Sequence, residues 1–496
     1  MTTNTIFFSP QKFRSEGYQL LPFRFRRLKT SVFLTNIVGE YVFLPSTVFA
    51  DFVNKRLPRS SAFYEELLTK HFLAGKNIET DLLASKLWTK KSFLSGFTKL
   101  HIFVLTLRCN SSCVYCQASR QNVLSSLHYD MDIDTARAAV RLMLQSPSKD
   151  ITVEFQGGEP LLNFPVLKEI VIYSSNLNKD LGKRLSFVVC TNLSLLNEEM
   201  LTFFREHNVG ISTSVDGPEQ LHDKNRCRNI KDACYAVVVK NLAESQKALG
   251  FQNISALMTT TKDTLNFAKE IIDEYIRLGI GSIFIRPLNP YGFAVKTNKS
   301  IGYSVEEFLS FYKEAFNYII SLNRSGIFFP EAYATLLLRK ILTPWPVGFV
   351  DLQSPTGNGF AVTVYNYDGD VYASDESRML SEMEDSSFRL GNVFSDSYRY
   401  IYFGSAMQRL IDHGIAECLS GCSDCAYVPY CGADPVRHYA TQRDSYGNRP
   451  SSDFCKKNRG ILDFLLNFLE NADEEVKTIL WSWIRDCSIN EVSLKE

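Results

Sequence analysis

Three cysteines on one short stretch constrain this chain more than any other feature. Cys109, Cys113 and Cys116 have the spacing C-x3-C-x2-C, and no further cysteine follows close enough to complete a set of four. Iron-sulfur clusters are normally held by four cysteines. Three thiolates on one loop can therefore hold three irons of a cubane and leave the fourth iron open, as a catalytic metal site keeps a position free. A zinc loop or unrelated thiols are the alternatives.

Short apolar strands alternate with helical stretches beyond residue 99, which is typical of repeated β/α units. Six such strands are fewer than the eight of a closed TIM barrel, so the predicted fold class is α/β, a partial (β/α)6 TIM-like barrel. The functional residues of such sheets gather at the carboxyl ends of the strands. The predicted strands are residues 101–107, 151–155, 185–190, 209–215, 253–259 and 282–285.

A second motif, Gln-Gly-Gly-Glu-Pro at residues 156–160, ends the second predicted strand, and its glycines allow close approach of the backbone. Together with the cysteine loop and Tyr115, it resembles the radical S-adenosylmethionine (radical SAM) superfamily. That resemblance implies a 4Fe-4S cluster bound by three catalytic cysteines, with exchangeable S-adenosylmethionine on the open iron. It also implies reductive cleavage of S-adenosylmethionine to a 5'-deoxyadenosyl radical.

Further positions of this family follow the next strands. An arginine fork suits a carboxylate, and Arg226 matches the family arginine that pairs with the carboxylate of the cofactor. For Ser214 and Arg226, capping or surface roles are equally open, and Leu193 stands where the family often has glycine. The cofactor-binding residues implied by the resemblance are Tyr115, Gly157, Gly158, Glu159, Pro160, Asn192, Ser214 and Arg226.

A second group of cysteines lies beyond the predicted barrel and resembles the SPASM extension of peptide-modifying radical SAM enzymes. The resemblance implies one auxiliary 4Fe-4S cluster, and a zinc site made from the same four thiolates is the alternative. Cys418 is a fifth thiol nearby, able to replace a ligand or to remain unused. The implied ligands are Cys422, Cys425, Cys431 and Cys455.

The SPASM extension usually carries two auxiliary clusters, and this chain departs from that pattern at three ligand positions. Ser374, Asp396 and Pro435 occupy positions where the family has cysteines, and all three belong to the same cluster. Proline offers no side-chain donor, and iron-sulfur clusters select thiolates. We therefore expect the first auxiliary cluster to be absent.

The first 95 residues contain a predicted hairpin, residues 31–35 and 40–44, with Gly39 in the turn and helical patterns after it. This small α+β module resembles the winged-helix element that binds leader peptides, and a structural cap is the alternative. A basic run at residues 24–29 is expected to form a solvated face or to meet an acidic peptide. The predicted domains are residues 1–95 (hairpin-plus-helices module), 96–300 (radical SAM core), 301–350 (bridging helices), 351–460 (SPASM-like auxiliary iron-sulfur domain) and 461–496 (helical tail).

Charge and hydropathy exclude several classes of partner. Lys plus Arg and Asp plus Glu both number 54, so the net charge is zero, and no basic stripe indicates a nucleic-acid binder. There is no apolar run of membrane-spanning length and no signal-peptide pattern. Twelve cysteines in 496 residues are too sparse for a disulfide scaffold. We expect a cytoplasmic protein with neither nucleic acid nor membrane as a partner.

The layout of the whole chain, from the motif Gly-Tyr-Gln-Leu-Leu-Pro at residues 17–22 to Ser-Asp-Phe-Cys at 452–455, is similar to the HxsB family, the maturases of the His-Xaa-Ser system. The resemblance implies a substrate peptide or small protein with His-Xaa-Ser repeats, a second radical SAM maturase, and an electron donor such as flavodoxin or ferredoxin. A sulfatase-type maturase that forms formylglycine and a non-catalytic iron-sulfur sensor are the other classes. The Gly-Gly-Glu-Pro turn favours an enzyme over the sensor.

Overall fold

The computed structural model describes residues 17–74, 80–226 and 234–492. The strands are β1 (Gln19–Leu20), β2 (Phe23–Arg27), β3 (Val32–Asn36), β4 (Tyr41–Leu44), β5 (Leu73–Ala74), β6 (Leu100–Thr106), β7 (Arg108–Cys109), β8 (Gln121–Asn122), β9 (Asp150–Gly157), β10 (Arg184–Cys190), β11 (Val209–Ser214), β12 (Ile254–Leu257), β13 (Val362–Tyr365), β14 (Asp370–Tyr372) and β15 (Arg389–Asn392). The helices are α1 (Ser46–Val53), α2 (Ala62–Thr69), α3 (Thr80–Lys90), α4 (Phe93–Gly96), α5 (Ile133–Met143), α6 (Phe164–Asn178), α7 (Glu198–Glu206), α8 (Glu219–Arg226), α9 (Tyr235–Leu249), α10 (Ala268–Arg277), α11 (Phe293–Ile301), α12 (Val305–Arg324), α13 (Ala332–Leu342), α14 (Asp375–Ser381), α15 (Tyr398–Phe403), α16 (Ser405–Gly414), α17 (Pro435–Gln442), α18 (Asp453–Glu470), α19 (Glu474–Arg485) and α20 (Ile489–Val492).

One large sheet organises the molecule. Its strand order is β12-β11-β10-β9-β6-β13-β14-β15, and the strands from β12 to β13 run parallel. Helices follow β9, β10, β11 and β12, as the alternation of apolar strands and helical patterns predicts. The predicted α/β partial barrel is therefore confirmed, and the carboxyl ends of its parallel strands form one edge.

The sixth parallel strand is not the segment predicted at residues 282–285. Instead, β13 pairs with β6 in parallel, with Val362 opposite Leu100. The 282–285 segment forms only a single bridge between Ile283 and Glu331, and the Glu331 carboxylate accepts a hydrogen bond from the Ile285 backbone N–H at 3.2 Å. The buried Glu331 carboxylate thus occupies the Ile285 backbone N–H, which would otherwise pair with a neighbouring strand. The 282–285 segment therefore lies beside the sheet and is not part of it.

The N-terminal module is a three-stranded antiparallel sheet, ordered β2-β3-β4, with α1 and α2. The predicted hairpin is confirmed, and Gly39 has a φ of +78° in its turn. The basic run at residues 24–29 is divided: Arg27 and Lys29 are exposed, as expected of a solvated face, whereas Arg24 and Arg26 are half-buried on β2 and contact the C-terminal part of the chain. Arg26 binds Asp463 with two contacts of 2.6 Å, and Arg24 donates to the carbonyl of Ser423.

The same small sheet packs on the cysteine-rich region. Phe33 is fully buried, and its ring lies 5.8 Å from that of Tyr427 and 6.5 Å from that of Tyr430. The Thr35 hydroxyl donates to the carbonyl of Ala426 at 2.7 Å. The first strands of the chain therefore cover the loop between Cys422 and Cys431.

The helices after the barrel form a packed layer of their own. Helix α12 contacts α10, α18 and α19, and α13 contacts α18 and α19. Helix α18 begins at Asp453, so Cys455 lies in its first turn and not before it. Within the described ranges, none of these helices has an apolar stretch long enough to span a bilayer.

Candidate functional site

The three-cysteine loop begins where β6 ends, at the carboxyl edge of the sheet. Its base is closed by a short ladder that pairs Cys109 with Asn122 in β8. At its far end, Phe293 of α11 donates its backbone N–H to the Cys116 carbonyl at 2.8 Å, and Thr297 donates to the Val114 carbonyl at 2.7 Å. Backbone contacts thus fix both ends of the loop.

Helix α8 holds the middle of this loop from the other side. The Val114 backbone N–H donates to the carbonyl of Asn225 at 2.8 Å. The buried Tyr115 hydroxyl donates to Asp216 at 2.6 Å and accepts a hydrogen bond from Arg226 at 2.8 Å. Burial raises the pKa of Tyr115 well above its usual value. Tyr115 and Arg226, two residues named from the sequence, are therefore linked to each other directly.

The Gly-Gly-Glu-Pro turn lies against the backbone of the cysteine loop. Gly158 N–H donates to the Thr106 carbonyl at 2.7 Å, and Glu159 N–H donates to the Arg108 carbonyl at 2.8 Å. A Cβ atom on Gly157 would come within 2.1 Å of the Thr106 carbonyl oxygen, and one on Gly158 within 2.3 Å of the Arg108 carbonyl oxygen. Both glycines are therefore required for this contact between two loops.

Glu159 connects the turn to the end of β10. Its carboxylate is buried and accepts hydrogen bonds from the Thr191 hydroxyl at 2.7 Å, the Asn192 N–H at 2.9 Å and the Leu161 N–H at 3.1 Å. Burial raises the pKa of Glu159, and these donors oppose the rise. The carboxylate thus has several fixed donors, which is how a buried charge is tolerated.

Asn192 extends this polar network to the cysteine loop. Its amide donates to the Asn110 side chain and to the Ser111 hydroxyl, both at 3.0 Å. The next residue, Leu193, is fully buried with a φ of +65°. The leucine therefore adopts the left-handed backbone that glycine favours, which explains how the chain keeps this turn despite the departure from the family pattern.

One cavity of about 230 Å³ collects these residues. Other residues also line this cavity: Cys190 and Glu154 come from neighbouring strands, Arg286 from the segment after β12, and Asp375 from α14. No pattern in the sequence indicated Glu154 or Asp375. Of the residues named for the first site, all except the buried Pro160 line the cavity, namely Cys109, Cys113, Tyr115, Cys116, Gly157, Gly158, Glu159, Asn192, Ser214 and Arg226.

Two thiols of the first site, those of Cys109 and Cys113, lie in surroundings that favour their protonated form when no metal is bound. Burial raises the pKa of Cys109 and Cys113, and for Cys113 the Arg226 guanidinium opposes the rise. The Ser111 N–H donates to the Cys109 sulfur at 3.3 Å. A metal binds the thiolate form, so ligation here would release protons. Three thiols facing one cavity, with a donor already directed at one sulfur, fit an iron-sulfur cluster.

The four cysteines of the second group lie near one another under the N-terminal sheet. Burial, with smaller contributions from the Cys431, Cys422 and Cys455 thiols, raises the pKa of Cys425 to about 12. All four are half-buried, whereas Cys418 is exposed. The structure thus brings together the four thiols named from the sequence and leaves the fifth at the surface.

Three of these sulfurs have hydrogen-bond donors. Arg449, itself only 6% exposed, directs Nε at the Cys422 sulfur at 3.1 Å. The Tyr427 N–H lies 3.4 Å from the Cys425 sulfur, and the Asn458 amide 3.7 Å from the Cys431 sulfur. No motif or spacing in the sequence indicated that Arg449 belongs to this site. Donors to sulfur are a feature of cluster sites, so this thiol set also fits such a group.

The positions that lack cysteine are used for helix starts and a turn. Ser374 caps α14 and accepts the Ser377 N–H at 3.2 Å, and Pro435 is the first residue of α17. Asp396 accepts the Asn392 N–H at 2.8 Å.

Among the described residues, no group of three or more His, Cys, Asp or Glu side chains has the geometry to hold a single metal ion.

A parallel α/β sheet with three thiols on a loop at its carboxyl edge, all facing one cavity, defines a partial-barrel enzyme of the cluster-dependent class. Residues 103–270 match the family model of the radical SAM superfamily, so this part of the chain is a radical SAM core.

The chain is similar to a cysteine-type anaerobic sulfatase-maturating enzyme of Clostridium novyi, at 23% identity over 65% of this chain and 83% of the relative. The solved structure of native anSMEcpe with bound AdoMet has a TM-score of 0.61 at 17% identity, covering 75% of this chain and 98% of that one. Streptococcus suis SuiB bound to the precursor peptide SuiA has a TM-score of 0.53 at 13% identity, covering 88% and 100%. This chain covers only 46% to 68% of the length of three other curated relatives.

Proposed function

We propose that this enzyme reductively cleaves S-adenosylmethionine and modifies a ribosomally made peptide or protein. The observation that carries the proposal is the single cavity lined by the three-cysteine loop, the Gly-Gly-Glu turn, Asn192, Ser214 and Arg226. When bound there, a 4Fe-4S cluster with S-adenosylmethionine on its open iron supplies the electron that generates a 5'-deoxyadenosyl radical.

The residues of the cavity have separate tasks in this proposal. Cys109, Cys113 and Cys116 hold the cluster, and the Gly157–Gly158 backbone with Glu159 positions the amino group of the cofactor. Arg226 supplies positive charge for its carboxylate, and Tyr115 holds that guanidinium in place at 2.8 Å. Asn192 and Ser214 position the remaining polar groups. Pro160 acts indirectly, because it starts the turn that follows Glu159.

Cys422, Cys425, Cys431 and Cys455 hold one auxiliary 4Fe-4S cluster in this proposal. The half-buried thiols and the donors from Arg449 and Asn458 support it. With four protein ligands and no open iron, this cluster transfers electrons rather than binding substrate. Zinc in the same thiol set is the alternative that the sequence left open, although among the described residues these thiols do not have the geometry of a single-ion site.

The proposed substrate is a peptide or small protein with His-Xaa-Ser repeats, as expected for an HxsB-type maturase. A second radical SAM maturase and an electron donor such as flavodoxin or ferredoxin are the proposed partners. The predicted domain division supports a peptide substrate, because a small N-terminal sheet module precedes the core. Its packing on residues 423–430 links the module to the second thiol site.

The similarity to sulfatase-maturating enzymes favours a second candidate, a maturase that forms formylglycine from Cys or Ser. The two candidate functions differ in the peptide that the enzyme modifies, so an assay with both peptides distinguishes them. Reduced holoenzyme is incubated with S-adenosylmethionine and either a His-Xaa-Ser repeat peptide or a sulfatase-derived Cys or Ser peptide. Mass spectrometry then identifies which peptide changes mass, and formylglycine in the sulfatase peptide alone would select the second candidate.

The enzymatic proposal itself is tested with Cys113→Ala. The parental holoenzyme, reduced under argon, should form 5'-deoxyadenosine, and the variant should form none, because only two thiolates of the loop remain. The matched control is Cys234→Ala, which removes a half-buried thiol that makes no capping hydrogen bond at the start of α9 and does not line the cavity. Parental rates in Cys113→Ala would show that the site is assigned wrongly.

A further inference from the structure

A second cavity lies beside the proposed S-adenosylmethionine site, between the barrel rim and the C-terminal helices. Its volume is about 360 Å³. The segment after β12 separates the two cavities: Arg286 lines the first, and Pro287, the next residue, lines the second. A substrate reaching the first cavity from the extension side therefore passes next to the second.

Two half-buried cations face this second cavity, Arg437 from α17 and Lys457 from α18. Arg437 donates to the neutral Asn289 side chain at 2.9 Å. The Lys457 ammonium lies 5.4 Å from the Phe454 ring centroid. Within residues 17–74, 80–226 and 234–492, no carboxylate oxygen comes within 4 Å of either cation. Both positive charges are therefore available to a ligand.

Carboxylates also lie near these cations, but among the described residues none forms an ion pair with Arg437 or Lys457. Asp453 lines the cavity, but its side chain is 71% exposed and lies 3.7 Å from Lys456. Burial and the neighbouring Arg437 lower the pKa of Lys457 to about 8, and Asp351 and Asp434, which form no ion pair with it among the described residues, oppose this lowering. The first residues of α12 and α18 line the cavity as well, and helix N-termini carry partial positive charge.

The other walls are mixed. Leu288, Pro290, Phe308 and Phe454 supply apolar surface, and Asn298, Thr441, Gln442 and Ser451 supply further polar groups. A ligand that fits therefore combines a carboxylate with a short apolar stem, as an acidic side chain does. An arginine fork binds a carboxylate through two parallel hydrogen bonds, and a lysine adds a point charge.

The geometry points to this cavity as a specificity pocket for an acidic side chain of the peptide substrate. Arg437 and Lys457 bind the carboxylate, and the apolar walls hold its methylene groups. This inference rests on the proposed peptide-modifying function. It adds a sequence requirement, an Asp or Glu beside the modified residue.

The test uses two probes, acetyl-Ala-Glu-Ala-amide and acetyl-Ala-Gln-Ala-amide, titrated calorimetrically into the holoenzyme. The parental enzyme should bind the Glu probe at least about tenfold more tightly, because a charge-assisted hydrogen bond to a buried site is lost with Gln. Arg437→Gln and Lys457→Gln should each remove this preference, and Arg437→Lys should retain part of it. Lys456→Gln is the matched control, since Lys456 neighbours Lys457 but does not line the cavity.

Equal binding of the two probes by the parental enzyme would overturn the inference, as would an unchanged Glu preference in both neutral variants. Thermal unfolding of each variant shows that a lost preference is not a lost fold. The proposed function is tested separately by 5'-deoxyadenosine formation in the parental holoenzyme. Glu selectivity without deoxyadenosine would reject that function, whereas deoxyadenosine without Glu selectivity would reject only the pocket.

Discussion

Gly157 and Gly158 show at the scale of single residues why the first site needs its motif. The sequence predicts that these glycines allow the backbone to approach a ligand, and in the structure the close approach is to the carbonyls of Thr106 and Arg108. The motif therefore holds the cysteine loop in place as well as lining the cavity. A side chain at either position would separate the two loops.

Gly158→Ala should disturb the first site severely. A Cβ atom would lie 2.3 Å from one backbone carbonyl oxygen and 2.5 Å from another, and backbone atoms cannot move aside as a flexible side chain does. We expect a loss of more than about 2 kcal/mol in the free energy of unfolding, measured by denaturant titration, and loss of 5'-deoxyadenosine formation. Gly281→Ala is the control, since nothing lies within 4 Å of a Cβ there. Equal stability of the two variants would contradict the prediction.

Arg449 is the residue whose replacement should change the second site without removing a ligand. Its guanidinium stabilises negative charge on the Cys422 sulfur, which increases when a cluster is reduced. Arg449→Gln should therefore lower the reduction potential of the auxiliary cluster, on the order of tens of millivolts. The measurement is an electron-paramagnetic-resonance redox titration. Arg443→Gln is the control, because Arg443 is exposed and binds Asp385; an unchanged potential in Arg449→Gln would refute the role.

Motifs revealed the residues of the cavity that lie next to each other in the chain. The cysteine loop and the Gly-Gly-Glu turn could be named from the sequence because each occupies a few consecutive positions. Asp375 reaches the same cavity from α14, far along the chain from these motifs, and no local pattern marks it. Arg449 likewise contacts Cys422 only through the tertiary fold.

At the scale of elements, helix starts occupy the positions that the family uses for an additional cluster. Ser374 caps α14, and Pro435 begins α17 with Asp434 as its cap. These residue types are favoured at helix N-termini. At positions 374 and 435, where the family has cysteine ligands, the sequence therefore indicated the start of a helix. The strand β13 was not predicted, because four residues between turns carry too little periodicity to distinguish them.

The packing of β3 on the cysteine-rich region is the element contact most accessible to test. Phe33→Ala should cost about 3–5 kcal/mol of unfolding free energy, because it leaves a cavity between the N-terminal sheet and Tyr427 and Tyr430. Limited proteolysis should then cleave the N-terminal module earlier. Iron at the second site should also be lost faster to a chelator.

Phe63→Ala is the matched control for that contact, since Phe63 packs within the N-terminal module and is not among the residues that touch the cysteine-rich region. It should destabilise the module without changing iron loss. Equal chelator sensitivity of the two variants would show that the second thiol site does not depend on the packing of β3.

For the whole molecule, the cysteines missing at positions 374, 396 and 435 determine how many clusters the chain is expected to hold. Two complete thiol sets should hold two 4Fe-4S clusters, roughly eight irons per chain. The triple variant Cys109→Ala, Cys113→Ala and Cys116→Ala should retain about half of this iron, because Cys422 and its partners are intact. Iron and zinc are measured by elemental analysis of reconstituted protein. A third cluster, or zinc in the second site, would reject this interpretation.

The overall architecture was predictable as far as the core sheet, because alternating strands and helices repeat over a long stretch. The way in which the outer parts attach was not predictable. Strands β13, β14 and β15 join the core sheet, and the N-terminal sheet contacts residues 423–430, although nothing in either segment names the other. Such contacts depend on complementary surfaces that form only after each part has folded.

The contact between the N-terminal sheet and the second thiol loop has a consequence for how the chain is made. Arg24 and Ser423 are 399 positions apart, and Tyr430 and Gly39 are 391 apart. During translation the face of β2 and β3 that packs on the cysteine-rich region stays uncovered until residues 422–431 have been synthesised. The N-terminal sheet can therefore pack on residues 423–430 only after nearly the whole chain has been synthesised.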